Sequence, residues 1–394
     1  MNRRQRLTLA LLIAFTLAGL LVVALQSSQA RRSADFTINY SAALLIRQGH
    51  ADAIYDRQRL GPLMLRLSDD AIDPRLPFDA PLALALPYVP LTFLPLELAF
   101  HVWQVITVVL LLLALVLMGR WVPLPRRALW VGFLALLAFP ATWALLAEGQ
   151  SSAMLLVGAA LLIGAWRRDL WWLSGAGSAL LAMKPHYLPV YLILLLAGRR
   201  WSALAGAAGG SLLVALSPLL AGGLAGVASM IWSALESGQG VIRYNESLIG
   251  TLAPLLPGSF ATYVGFAIWV LALIGLSCLA LFRPLTEGCS GTRAMTMGVL
   301  MTSAGLLFAP HALAYDLVLL AVPAWISFGL QRQRKAADPS PAWMMVGLAL
   351  LVDLHASIVP LAPIAIVGLL GWTLWSARPQ PDSQDQRTPL ASVG

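Results

Sequence analysis

Apolar runs long enough to cross a bilayer, about 20 residues each, recur along nearly the whole chain, beginning with Leu7–Leu25. A helix satisfies its backbone N–H and C=O groups within its own segment, so in lipid such runs fold as helices packed side by side. The expected fold is an all-α polytopic membrane protein, a bundle of about 10–12 transmembrane helices, and not a soluble domain with an anchor. Composition agrees, because 59% hydrophobic and 11% charged residues in a chain of 394 leave too little polar surface to face water. Apolar runs place spans at about 7–26, 92–118, 128–147, 151–166, 170–183, 187–198, 202–221, 259–282, 294–310, 313–330, 342–357 and 360–376. The pairs 170–183 with 187–198 and 342–357 with 360–376 are short and closely joined, as broken helices or re-entrant pairs are. The first run lacks an A-x-A type cleavage site and reads as the first span, not as a signal peptide.

Basic residues orient the bundle. Alternate loops carry Arg3, Arg4 and Arg6; Arg120, Arg126 and Arg127; Arg167 and Arg168; Arg199 and Arg200; Arg283 and Arg293; Arg332, Arg334 and Lys335; and Arg378 and Arg387. These are 17 of the 26 Lys and Arg residues, which assigns their loops and both termini to the cytoplasm of a multi-pass inner (plasma) membrane protein. The net charge of +8 therefore follows from topology, and nucleic acid is not an expected partner.

Seven of the other nine basic residues lie in the segment from 27 to about 90, the largest extramembrane piece. SAALLIRQG and DRQRLGPLMLRL set apolar residues at helical spacing beside arginines, the pattern of short helices lying in the membrane interface. PFDAPLALALPYVPLTFLP then returns to the membrane with five prolines, which suit an ordered re-entry loop. Residues 1–376 read as a single transmembrane domain, followed by a polar tail, 377–394, with too few apolar residues to pack.

Sorted by side, the polar residues at span edges are lopsided. Asp35 with Asn39, Glu148 with Gln150, Lys184 with His186, Arg243 with Asn245, and His311 with Asp316 all fall on the outer side. Ionisable groups near a membrane usually pair with one another or line a cavity, so an outward-facing polar cleft is expected. Each group also has a bland reading. Asp35 reads as a solvated loop acid, except that Asn39 lies one helical turn later and would share its face and orient it. Glu148 and Gln150, in AEGQSS, read equally as a polar turn. Lys184 reads as a snorkelling lysine, although Pro185 breaks the helix there and would turn the ammonium into the gap, where it suits a phosphate. A lone His311 is most often a satisfied interface histidine, but Tyr315 and Asp316 follow at helical spacing. Arg243, Asn245 and Ser247, in IRYNESL, read as a phosphate or sugar contact, with N-x-S as a formal glycosylation sequon.

Other chemistries lack their motifs. There is no Walker A loop, H-E-x-x-H, G-x-S-x-G or G-x-G-x-x-G in its strand–helix setting. Cys278 and Cys289 are too few and too separated for a disulfide framework or zinc site. No tight carboxylate cluster calls for a metal, and no cofactor is implied.

Six segments in order, ADFTINYSAALLIRQGHADAIYD, PLTFLPLELAFHVW, EGQSSAMLLVGAALL, ALLAMKPHYLPVYLILLLAGRRW, YNESLIG and PHALAYDLVLL, resemble glycosyltransferase family 87 over roughly residues 7–330. The resemblance implies a GT-C fold with short interfacial helices in the first outer loop. It also implies inverting transfer of a sugar, usually mannose, from a polyprenyl-phosphate donor to a lipid-linked or glycan acceptor on the outer side of the bilayer. The family's catalytic acid corresponds to Asp35, and its K-P and P-H motifs to Lys184 and His311. The chain departs from the family in carrying Pro185, His186 and Tyr187 where Tyr-Pro often follows the lysine.

This chemistry needs a base for the acceptor hydroxyl and cations or donors for the departing phosphate. Asp35 is the base; Lys184, Arg243 and His311 are the phosphate contacts; Asn39, Tyr40, Glu148, Gln150, His186, Asn245, Ser247, Tyr315 and Asp316 are supporting or substrate-binding residues. The rival readings are a lipid-linked oligosaccharide flippase and a glycan polymerase or ligase. Transporters often show inverted repeats and polar groups at the midplane, whereas here the polar groups gather at one end.

Overall fold

The computed structural model describes residues 3–122, 124–241, 244–256, 258–282, 291–334 and 361–376. Among them all regular structure is helical, with α-helices and 3-10 turns and no strand. The proposed tail 377–394, the run 342–357, Arg243 and Cys289 lie outside the described residues.

Four helical segments are long and apolar enough to cross a membrane: Arg6–Ala24, Leu96–Trp121, Trp201–Ala221 and Phe260–Phe282. Arg126–Leu137 and Pro140–Glu148, bent by 62° at a short break, add a fifth if they count as one span. The other apolar runs among the described residues form shorter helices, so these residues hold fewer full-length spans than the runs suggested. The reason is local. Pro140 and Pro185 each stand within the first two positions of a new helical segment, so a continuous apolar stretch is divided where the ring prevents an i→i−4 bond.

In chain order, α1 is Arg3–Ala24, α2 Ser28–Arg32, α3 Phe36–Arg47, α4 Arg57–Ser68, α5 Leu96–Trp121, α6 Arg126–Leu137, α7 Pro140–Glu148 and α8 Ser152–Arg168. Then come α9 Trp171–Leu181, α10 Leu188–Ala197, α11 Trp201–Ala215, α12 Gly223–Val241, α13 Leu248–Leu252, α14 Gly258–Phe282, α15 Gly291–Leu307, α16 Ala321–Arg334 and α17 Ala362–Ser376. Helix α12 falls in a stretch that the apolar-run reading left out.

Helix α8 is the central post. Fourteen of its 17 residues are buried, so it is covered on all sides by protein. It packs between α5 and α9, and α9 packs in turn on α11. Small residues set that last contact: a Cβ on Gly206 would lie 2.0 Å from the Trp171 carbonyl oxygen, and one on Gly210 2.0 Å from that of Gly175. Close backbone approach through small residues is how helices associate where lipid removes the hydrophobic drive. Gly210→Val is therefore expected to lower the thermal midpoint in detergent, by an overpacking cost of about 1–3 kcal/mol or more. A midpoint equal to the parent's would show that α9 and α11 separate freely. Asp169 locks the same corner, since it ends α8 with φ 53° while its Oδ1 accepts from Ala203 N at 2.9 Å.

The segment from 27 to about 90 contains the expected short helices, but α3 is not a surface helix. Nine of its twelve residues are buried, and it packs against the 3-10 stretch Leu86–Phe93 of the proline-rich return. Phe36, Tyr88 and Trp103 are all but fully buried; the Phe36 and Tyr88 rings lie 5.7 Å apart, and those of Tyr88 and Trp103 4.1 Å. Aromatic burial of this kind outweighs an interfacial position for a helix whose exposed residues are confined to its end.

Candidate active site

Asp35 stands at the N-cap position of α3, yet its side chain makes no capping hydrogen bond. Its carboxylate is held from elsewhere. Gln150 Nε2 donates to Oδ2 at 2.6 Å and the Tyr315 hydroxyl donates to the same oxygen at 3.3 Å. The Asp35 backbone N–H in turn donates to Glu148 Oε2 at 3.3 Å. Among the described residues no hydrogen bond goes to Oδ1.

Gly149 explains how Glu148 and Gln150 reach the acid together. It closes α7 with φ +59°, a conformation that a side chain strains, and a Cβ there would meet Phe36 Cβ at 2.8 Å. The turn thus presses against the residue after Asp35. The bland reading of AEGQSS as a plain polar turn gives way to a turn aimed at the acid.

Across the Tyr315 ring from Asp35 sits a cation. Lys184 Nζ lies 4.6 Å from that ring's centroid and 2.7 Å from Asp316 Oδ1. Asp316 is fully buried and also accepts from Ser152 Oγ at 2.5 Å and, on Oδ2, from Leu313 N at 3.3 Å. Such a carboxylate is a structural anchor that positions the ammonium and the start of the following 3-10 segment, Ala314–Leu320. The ammonium has two further N–H groups for a ligand.

The two Pro-His dipeptides meet here. Pro185-His186 occupies the break between α9 and α10, and Pro310-His311 the break after α15; the His186 and His311 rings lie 6.0 Å apart. Tyr187 hydroxyl donates to the His311 carbonyl at 3.3 Å.

Some expected contacts take other partners. Asn39 does not orient Asp35; its amide donates to Tyr88 at 3.5 Å, while the Asp35 carboxylate accepts from Gln150 and Tyr315 of other segments. Tyr40 ties α3 to the return loop through its hydroxyl, 2.7 Å from the Leu94 carbonyl. Asn245 was read as a phosphate or sugar contact, but backbone groups occupy its amide: Nδ2 donates to Pro310 O at 2.8 Å, while Oδ1 accepts from Ala312 N at 3.1 Å and Ser247 N at 3.0 Å. It is a strut that shapes the break bearing His311. Ser247 is buried, and its Oγ has no hydrogen-bond partner.

The sequence reading passed over Asp79. It is exposed between the buried Phe78 and Ala80, and its charge bears on Asp35, His311 and Tyr315 alike. An acid inside the apolar, proline-rich PFDAP was the available signal.

Asp35 lies outside the membrane-spanning segments, and burial raises its pKa above the ordinary aspartate range. The Gln150 hydrogen bond and the Lys184 charge oppose that rise, the Asp79 charge adds to it, and the Tyr315 hydrogen bond opposes it again. Among the described residues no group of three or more His, Cys, Asp or Glu side chains is placed to hold a metal ion.

The arrangement thus pairs a half-buried carboxylate having one free oxygen with a fixed cation beside the same aromatic ring, which suits proton abstraction beside a developing negative charge. A comparison with curated protein sequences gives no match. A sequence model described as Glycosyltransferase family 87 matches residues 80–310, more than half of the chain. The match includes Glu148, Gln150, Lys184 and His186, while Asp35 and His311 lie beyond its ends and reach the same site through the fold. By that match the chain belongs to glycosyltransferase family 87, as a polytopic all-α membrane glycosyltransferase.

Proposed function

We propose that the protein transfers a sugar, mannose in the first instance, from a polyprenyl-phosphate donor to a hydroxyl of a lipid-linked or glycan acceptor at the extracytoplasmic face, with inversion. Asp35 takes the acceptor's proton as the new oxygen–C1 bond forms. The C1–phosphate oxygen bond breaks, and its electron pair leaves with the polyprenyl phosphate. Lys184 and His311 face the departing phosphate, with Asp316 fixing Lys184 and with Gln150, Tyr315 and Glu148 fixing Asp35; Arg243 is a further phosphate contact by the sequence reading alone.

The observation that carries this reading is the Asp35 carboxylate, held through Oδ2 alone by Gln150 and Tyr315, one ring from the Lys184 ammonium. A base for the acceptor hydroxyl and a cation for the departing phosphate are what this displacement requires. The test supplies the purified, reconstituted protein with radiolabelled polyprenyl-phosphate mannose, a nucleotide sugar and a lipid-diphosphate glycan in parallel. Transfer from the first alone is expected. Transfer from the lipid-diphosphate glycan alone, or translocation without transfer, would replace the reading with a polymerase or a flippase.

The raised pKa of Asp35 has a kinetic sign. The base works deprotonated, so kcat/KM falls as pH drops through that raised value, above where an ordinary aspartate would protonate. Gln150→Leu removes a donor that favours the carboxylate form, so the acidic limb moves to higher pH. An unmoved limb would mean that a different group titrates.

A further inference from the structure

Both Pro-His dipeptides stand at helix breaks, and the fold brings them together, with the two imidazole rings 6.0 Å apart. His186 packs on Tyr187, ring centroids 4.1 Å apart, which fixes its plane. Its Nε2 is buried and has no hydrogen-bond partner. A buried imidazole nitrogen without a partner is unfavourable, and such an atom beside a substrate site marks a contact that a ligand completes.

Charge identifies the ligand. The charges of Lys184 and Asp316 act on His186 beside His311, and Asp316 largely neutralises Lys184 through their 2.7 Å contact. On the far side of Tyr315 stand the carboxylates of Asp35 and Glu148. A phosphate that gains charge as its sugar departs therefore needs further donors on the Lys184 side. Two imidazoles supply them, since a ring nitrogen that carries its proton donates to a phosphate oxygen.

We propose that His186 and His311 clamp one oxygen of the donor's phosphate between them, with His186 contributing its Nε2. This rests on the polyprenyl-phosphate reading above and deepens it, since it gives the Pro-His turn after Lys184 a donor-binding role.

The test measures equilibrium binding of sugar-free polyprenyl phosphate, and of polyprenol as the control without phosphate, to the full-length chain in lipid nanodiscs. His186→Phe keeps the ring's shape and loses its nitrogen. It is expected to weaken polyprenyl phosphate roughly ten- to hundred-fold, the range for a hydrogen bond to a charged group, and to leave polyprenol unchanged. His186→Gln keeps an N–H of similar reach and is expected to restore most of the affinity, which a merely structural role for the ring would not produce. Because both rings grip one oxygen, the loss in the His186→Phe, His311→Phe double variant falls short of the product of the single losses.

Unchanged affinity in a folded His186→Phe, equal losses for polyprenol, or multiplicative losses in the double variant overturn the clamp. If Lys184→Ala alone weakens the phosphate ligand, the donor reading stands and the clamp falls. If the unaltered protein binds polyprenyl phosphate no better than polyprenol, both fall.

Discussion

Asp35→Asn is expected to reduce transfer by about 10²–10⁴-fold, the usual contribution of a general base, while donor binding and the thermal midpoint stay near those of the parent. The amide fills the same space, and its oxygen still accepts a hydrogen bond where Oδ2 meets Gln150 and Tyr315. What it loses is the capacity of Oδ1 to hold the acceptor's proton. Single-turnover transfer from labelled donor, measured beside donor affinity, separates the two effects. Near-normal turnover would remove Asp35 from catalysis and direct attention to Glu148, the neighbouring carboxylate. A parallel loss of donor affinity would instead assign Asp35 to binding.

The largest expected effect on stability follows from Asp316→Ala. The carboxylate is fully buried and the Lys184 side chain 14% exposed, so truncation strands an ammonium in the protein interior. Breaking a buried pair by removing one partner costs about 3–5 kcal/mol, and here Ser152 Oγ and Leu313 N lose an acceptor as well. Unfolding followed by tryptophan fluorescence in detergent should show a clear fall in midpoint, with a smaller fall for Asp316→Asn. The double variant Lys184→Met, Asp316→Leu should recover much of the loss, because an apolar pair of similar volume avoids the desolvation of both charges. It should nevertheless be inactive, since the phosphate-facing cation is gone. Full stability in Asp316→Ala would show that Lys184 finds water.

How much of this was legible in the chain depends on the range of the interaction. Helix positions were readable, because an apolar run and a proline act on their own neighbourhood; the break at Pro185 was expected and stands between α9 and α10. Overall span lengths were less so, since several apolar runs end in the protein interior, and α8 is buried among its neighbours. The site residues could be nominated as polar groups at helix ends, but not paired. The nearest candidate partner of Asp35 by sequence was Asn39, four positions on; the structure supplies Gln150, 115 positions away, and Tyr315, 280 away. Asp79 escaped notice because nothing local marks an acid in a proline-rich loop as facing a distant histidine.

The sequence by itself determined that this chain is a helical membrane protein with polar groups clustered at its helix ends, because burial of apolar length and the backbone's need for partners are settled within each segment. Only the tertiary structure decided that Lys184 belongs to Asp316, that Asn245 serves the backbone of another break, and that the two Pro-His turns face each other. Those pairings depend on how closely helices approach, and that is set by packing between segments far apart in the chain, such as the glycine contact of α9 with α11.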